Sequence, residues 1–323
     1  MKVLLIQLRQ IGDIMMCTPS IDALKRSRPD TEIHFLCTER LKFAVEGNPA
    51  ISKIITCDKR PSFADLFRIR KENYDVIIDF MNLPRTALFA FLSGAPLRSG
   101  TAKRGRTLFY SHVADPVPES TYSAKQKLGL LKPLGIEQTE SMQLWLYPSE
   151  SDIDTATELT SKLRLKDTPN LCAFSPVSRR DYKRWPLEKF ARVCDQLHEQ
   201  HNIIFLPMFG PGEEPAIDAI TRASRHPEAF KYPYTTPPFK SLLKLMECCT
   251  FYFGNDNGIR HVAIAAGLPT ATIFGTPRPE NWTPPDTDRH KWIWGGEKIS
   301  EISENEVLSM VSRMLIQQAV SVK

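Results

Sequence analysis

No apolar run in this 323-residue chain approaches the roughly 18 to 20 residues that a membrane-spanning helix requires. Residues 1 to 25 lack the layout of a signal peptide, because Arg9 and Asp13 interrupt their apolar stretch. A cytosolic location is the expectation. The seven cysteines, at 17, 37, 57, 172, 194, 248 and 249, contain no C-x-x-C spacing, and most stand in apolar patterns. That argues against a zinc site or a disulfide framework and predicts buried free thiols, with the Cys248-Cys249 pair packed at a helix end. G-x-G-x-x-G is absent from both halves, which argues against a nicotinamide oxidoreductase. The basic excess is modest and no RNP-type aromatic pattern occurs, so nucleic-acid binding is not expected.

What is present is a chain with 42% hydrophobic and 24% charged residues, long enough for two domains. Its net charge of +5 is unevenly placed. Residues 1 to 150 hold 21 Lys and Arg against 16 Asp and Glu, and the remainder holds 21 of each, so the excess belongs to the first half. Within residues 80 to 114 stand Arg85, Arg98, Lys103, Arg104 and Arg106 and no carboxylate. This reads either as a solvated basic loop or as a site for a polyanionic acceptor or an anionic membrane surface.

Strand-like and helix-like segments alternate along the whole length, the pattern of parallel sheets covered on both faces. The first half offers strands Val3 to Leu8, Glu32 to Cys37, Lys53 to Thr56, Val76 to Phe80 and Arg98 to Gly100. The second offers Leu171 to Phe174, Ile203 to Leu206, Phe251 to Phe253 and Thr270 to Phe274. We expect an α/β protein of two Rossmann-like, doubly wound domains facing across a cleft, residues 1–165 and 166–323, with a closing helix 304–320 that can pack back on the first domain. Ligands in such sheets lie beyond the carboxyl ends of the strands, and the unusual polar turns of this chain fall there.

Four turns carry chemistry. Gln10-Ile11-Gly12-Asp13 follows the first strand with one glycine and a bare carboxylate; locally Asp13 reads first as the cap of a helix from about Ile14, a role compatible with a general base. Phe174 to Pro186 crowds Arg179, Arg180, Lys183 and Arg184 with Ser175 and Ser178 before a helix start, which favours a bound phosphate. In Phe209 to Glu214, Glu213 suits ribose hydroxyls or the first turn of a helix. In Phe253 to His261, Gly258 allows close backbone approach, and Arg260 and His261 add donors.

Taken in this order the turns resemble the ADP-heptose:lipopolysaccharide heptosyltransferases of glycosyltransferase family 9. The likeness extends from Lys2 to about Trp282 and includes Tyr74-Asp75-Val76-Ile77-Ile78-Asp79 and Gly267-Leu268-Pro269 through Gly275. It implies a GT-B fold and an inverting, metal-independent heptosyl transfer from ADP-heptose to an anionic lipopolysaccharide inner-core acceptor of the lipid A and Kdo type. Asp13 would be the catalytic base. Ser178, Arg180, Lys183, Glu213, Asp256, Asn257, Gly258 and His261 would bind the donor. Gly12, Arg98, Lys103, Arg104 and Arg106 would bind the acceptor. No cofactor, no metal and no obligate protein partner are implied, and peripheral contact with the cytoplasmic face of the inner membrane is compatible with the acceptor. Alternatives are another nucleotide sugar, an epimerase, or a non-catalytic nucleotide or glycan binder. Arg9-Gln10, Arg179, Asn257 and Arg260 depart from the small hydroxyls usual in the family.

Overall fold

The computed structural model describes residues 1–58, 62–102, 105–137, 139, 141–232 and 235–321. The chain divides into two compact units, Met1–Tyr147 and Pro148–Lys323.

In the first unit, β1 (Lys2–Ile6) leads to α1 (Ile11–Met15) and α2 (Thr18–Ser27), then β2 (Glu32–Thr38), β3 (Lys53–Cys57), α3 (Phe63–Lys71), β4 (Val76–Asp79), α4 (Pro84–Leu92), β5 (Leu97–Thr101), β6 (His112–Ala114) and α5 (Ser123–Gly129). All strand pairs are parallel, in the order β3-β2-β1-β4-β5-β6. Alternation along β1 explains why both faces are covered: Val3 and Leu5 enter one core, while Leu4 and Ile6 enter the other. Each such fully buried side chain contributes about 1.5–3 kcal/mol. Local signals set the helix ends. Pro19 stands in the first turn of α2, and Ser62 and Asp65 form a capping box on α3. The amphipathic pattern of Tyr122 to Leu134 predicts one helix, but the helix found is shorter, because Ser123–Gly129 is followed by a separate 3₁₀ turn, Lys132–Leu134, closed by Gly135 at φ 76°.

The second unit contains α6 (Glu150–Lys162), β7 (Leu171–Ser175), α7 (Leu187–His201), β8 (Ile204–Pro207), α8 (Glu214–Ala223), α9 (Ser241–Met246), β9 (Phe251–Asn255), α10 (Gly258–Ala265), β10 (Thr270–Phe274), β11 (His290–Trp294) and α11 (Glu304–Ser321). Its parallel sheet runs β11-β10-β9-β7-β8. Phe174, Phe190, Phe205 and Phe253 meet at ring separations of 5.4 to 5.8 Å beneath α7, and α11 lies against α7, β10 and β11 of its own unit. The seven cysteines are free thiols, six of them buried. No helix among the described residues is long and apolar enough to cross a membrane.

Both strand orders are doubly wound, and each has a switch point where successive crossovers leave on opposite sides: beside β1 in the first unit, between β7 and β9 in the second. Open α/β sheets take their ligands at such points. Asp13 follows β1, and the turns of Lys183 and Asp256 follow β7 and β9.

Candidate active site

At the switch point of the first unit, Gln10 has φ 60° and ψ 131°, a conformation costly to a side-chain-bearing residue by about 1–3 kcal/mol. It swings the chain so that helix α1 begins at Ile11, and Asp13 becomes a half-buried residue of the helix's first turn. The reading of Asp13 as a cap is therefore corrected: Gln10 occupies that position, and Asp13 sits where a carboxylate complements the positive end of the helix. Gly12, before it, is buried.

A layer beneath this turn was not anticipated. Gln7 donates to the Arg9 carbonyl at 3.0 Å and accepts from Lys127 Nζ at 3.0 Å. Cys17 Sγ lies 3.2 Å from the Asp13 carbonyl oxygen. Burial pushes the Cys17 thiol up to about 12, the charge of Lys127 opposes that, and the charge of Asp13 adds to it, so both charges act on one sulfur. Lys127 is thus a buried cation held close to the helix of Asp13. The signal was present in its spacing: Ala124, Lys127, Leu128 and Leu131 are all buried, at i, i+3, i+4 and i+7, so this lysine stands on the apolar face.

In the second unit two asparagines bind the β7 and β9 turns together. Asn255, fully buried, accepts from the Trp185 amide at 3.2 Å and donates to the Pro176 carbonyl at 2.5 Å. Asn257 caps α10, accepting from the amides of Ile259 and Arg260 at 2.9 and 3.1 Å, while its Nδ2 donates to Ser175 Oγ and the Val177 carbonyl at 2.9 and 2.8 Å. The amide of Ile259 is therefore already engaged by the cap. At Gly275, a Cβ would collide with the Tyr182 carbonyl oxygen and lie 3.3 Å from Lys183 Cα. Glycine there lets the Asp181–Lys183 turn rest on the end of β10.

These supports bring Lys183, Asp256, Arg260 and His261 into one cluster. Lys183 Nζ donates to Asp256 Oδ2 at 2.6 Å, and Arg260 Nε stands 3.6 Å from Asp256 Oδ1. Arg260, 0% exposed, also donates to the Trp282 carbonyl at 2.6 Å and lies 4.9 Å over the Phe274 ring. Burial, then Arg260 and Lys183, hold the His261 imidazole well below its ordinary pKa, so it is neutral at pH 7. Its buried Nδ1 has no partner among the described residues, which leaves it able to bond a ligand. One carboxylate thus faces two cations, and the surplus positive charge suits an anion.

The other expected residues are placed as follows. Ser178 is buried, and its carbonyl accepts from Arg184 Nε at 2.5 Å; Arg180 is exposed. Glu213 precedes α8 and closes its own loop, accepting from the Gly210 amide at 2.7 Å. Gly258 opens α10. In the first unit Arg98 donates to the carbonyls of Ala95, Pro96 and Phe109, and Arg106 to that of Asn82. Lys103 and Arg104 lie outside the described residues. The cluster of metal-capable groups His198, His226 and Glu228 is internally satisfied, since His226 bonds Glu199 and Glu228 through its two ring nitrogens at 3.0 and 3.1 Å.

Two parallel-sheet α/β domains, each with polar turns at its switch point, match the architecture of solved GT-B glycosyltransferases. A glycosyl transferase family 9 structure from Veillonella parvula superposes with TM-score 0.80 at 22% identity, covering 98% of this chain and 97% of that one. The Escherichia coli ADP-heptose lps heptosyltransferase II superposes with TM-score 0.77 at 20% identity, covering 99% and 100%. Lipopolysaccharide heptosyltransferase 3 of Escherichia coli K12 is 25% identical over 305 residues, 90% of this chain and 86% of its own length. The signature of glycosyltransferase family 9 (heptosyltransferase) matches residues 66–309. The chain belongs to this family and is a glycosyltransferase.

Proposed function

We propose that this enzyme transfers a heptose from ADP-heptose to an anionic inner-core sugar of lipopolysaccharide, with inversion and with Asp13 as general base. The observation that carries the reading is the Lys183–Asp256–Arg260 cluster with its neutral His261, in a chain whose relatives include one named for ADP-heptose. The acceptor hydroxyl oxygen attacks the anomeric carbon while the bond from that carbon to the diphosphate oxygen breaks. The departing electron pair leaves with ADP, and the hydroxyl proton passes to the Asp13 carboxylate. Charge then grows at two places. The carboxylate answers the first, and Lys183, turning from Asp256 to the diphosphate, answers the second.

Arg260 gives this exchange its logic. When Lys183 moves to a phosphate, Asp256 keeps a counter-charge at 3.6 Å and is not left buried and unpaired. Asp256 with His261 would bond the donor sugar and diphosphate, Glu213 the ribose, and Ser178 and Arg180 the phosphate edge. In this reaction no resident metal or cofactor is called for. A thermal-shift comparison of ADP, UDP and GDP at equal concentration tests the donor: preferential stabilisation by ADP is the predicted result, because a ligand bound only to the native state raises its apparent stability. Preference for UDP or GDP would reject ADP-heptose.

A further inference from the structure

We infer that the outer surface of the α3–α4 layer in the first unit is a docking surface for an anionic lipid bilayer. This goes beyond the reaction proposed above and does not depend on the identity of its donor.

Helices α3 and α4 and the 3₁₀ turn Thr107–Phe109 cover one face of the sheet. Their inward side chains, Ile69, Ala87, Phe89 and Ala90 with Leu66 and Phe109 beside them, share one core with Leu4, Ile6 and Ile77. Their outward side is unusually apolar. Phe63, Leu108 and Phe67 are 88%, 85% and 62% exposed, the highest values for large apolar side chains among the described residues, and Leu88 and Phe91 are nearly half exposed. Scattered single exposures need no explanation, but five within one layer do.

One hydrogen bond joins the two helices that carry four of the five, and one ring contact joins the second helix to the turn that carries the fifth. Phe63, Phe67 and Lys71 follow one another at i, i+4 along α3, with Lys71 Nζ 4.6 Å from the Phe67 ring. On a helix this stripe adjoins Arg70, which donates at 2.9 Å to the Leu92 carbonyl at the end of α4. Leu88 and Phe91 lie at i, i+3 on the outward face of α4, and the Phe91 ring meets that of Phe109, next to Leu108, at 5.7 Å.

Charge decides what covers it. The described residues of segments 62–71 and 84–109 include six Lys and Arg against one acid, Asp65, and Asp65 is bound to Ser62 and Arg68. Arg70, Arg98 and Arg106 donate to main-chain carbonyls and form no ion pair among the described residues. A second copy seated on the same surface would set like charges against each other. Anionic headgroups match the cations, and the phenylalanines enter the boundary between headgroups and acyl chains.

The test is co-sedimentation of the full chain with vesicles of phosphatidylcholine alone or mixed with phosphatidylglycerol. The wild type should bind the mixed vesicles and not the neutral ones. Phe63→Ser with Phe67→Ser, and separately Lys71→Glu with Arg85→Glu, should each weaken binding by about ten-fold or more, with melting temperature unchanged because these side chains are exposed. Failure of the wild type to bind mixed vesicles would overturn the inference, as would equal binding by the serine variant. Light scattering that found a wild-type dimer dissociated by Phe63→Ser and Phe67→Ser would assign the surface to a second copy instead.

Discussion

Truncating Arg260 to alanine tests the cluster where its chemistry is most constrained. The guanidinium is fully buried, pairs with Asp256 at 3.6 Å, bonds the Trp282 carbonyl at 2.6 Å and covers the Phe274 ring at 4.9 Å. Removing one partner of a buried ion pair costs about 3–5 kcal/mol. Asp256 retains Lys183 at 2.6 Å, so the lower end, about 3 kcal/mol, applies. At about 2–4 °C per kcal/mol for a unit of this size, the melting temperature should fall by about 6–12 °C. A second effect separates function from packing. Without Arg260, Lys183 becomes the main counter-charge of Asp256 and is held back from a phosphate, so ADP affinity should drop about ten-fold, equivalent to 1.4 kcal/mol. Differential scanning calorimetry and ADP titration calorimetry read the two effects separately, and Arg260→Lys should recover part of the affinity. A melting temperature within about 2 °C of wild type would refute the energetic argument. Unchanged ADP affinity in a destabilised variant would refute the exchange of partners by Lys183.

Two further predictions concern the same unit. Gly275→Ala places a methyl group against the Tyr182 carbonyl, so the Asp181–Lys183 turn must shift; titration calorimetry should show ADP bound at least about ten-fold more weakly, at a stability cost of about 1–3 kcal/mol, and unaltered affinity would contradict the support assigned to this glycine. His290 is held down at about 4, by burial and then by Arg260, so below pH 6.5 the unfolded chain takes up a proton that the folded chain refuses. Its contribution is present above pH 6.5 and is lost at about 1.4 kcal/mol per pH unit as pH falls towards 4. Urea midpoints of His290→Gln should therefore vary less steeply with pH over that window, and an unchanged slope would contradict the assignment. Part of the slope will remain, because His261 is shifted in the same direction.

Much of the architecture was legible because parallel strands buried on both faces read as apolar runs, as in Val3 to Ile6 and Val76 to Ile78. The strands that escaped notice, His112–Ala114 and His290–Trp294, are edge strands. An edge position is half covered, so its residues need not be apolar, and the His-Lys-Trp-Ile-Trp run carries no such signature. At the candidate site, residue types singled out the polar turns at the strand ends but not their internal bonding. Asp13 looked like a cap because Asp favours that position, and only the backbone at Gln10 moves the helix start to Ile11. Arg260 looked like a donor at a helix start, yet it is buried against Asp256 four residues before it and is anchored on the Trp282 carbonyl 22 residues further on, a contact invisible to local spacing. Asn257, by reaching Ser175 and Val177 while capping α10, takes on a bracing role that one-dimensional reading could not assign.

The most direct measurement is paired kinetics and ADP titration of Asp13→Asn, which keeps the shape of the side chain and removes its basicity. For this variant, kcat for sugar transfer should fall by about 10²–10⁴ while ADP affinity stays within about two-fold, since nucleotide and proton acceptor are assigned to different units. Transfer at near wild-type rate, or an equal loss of ADP affinity and turnover, would contradict that assignment.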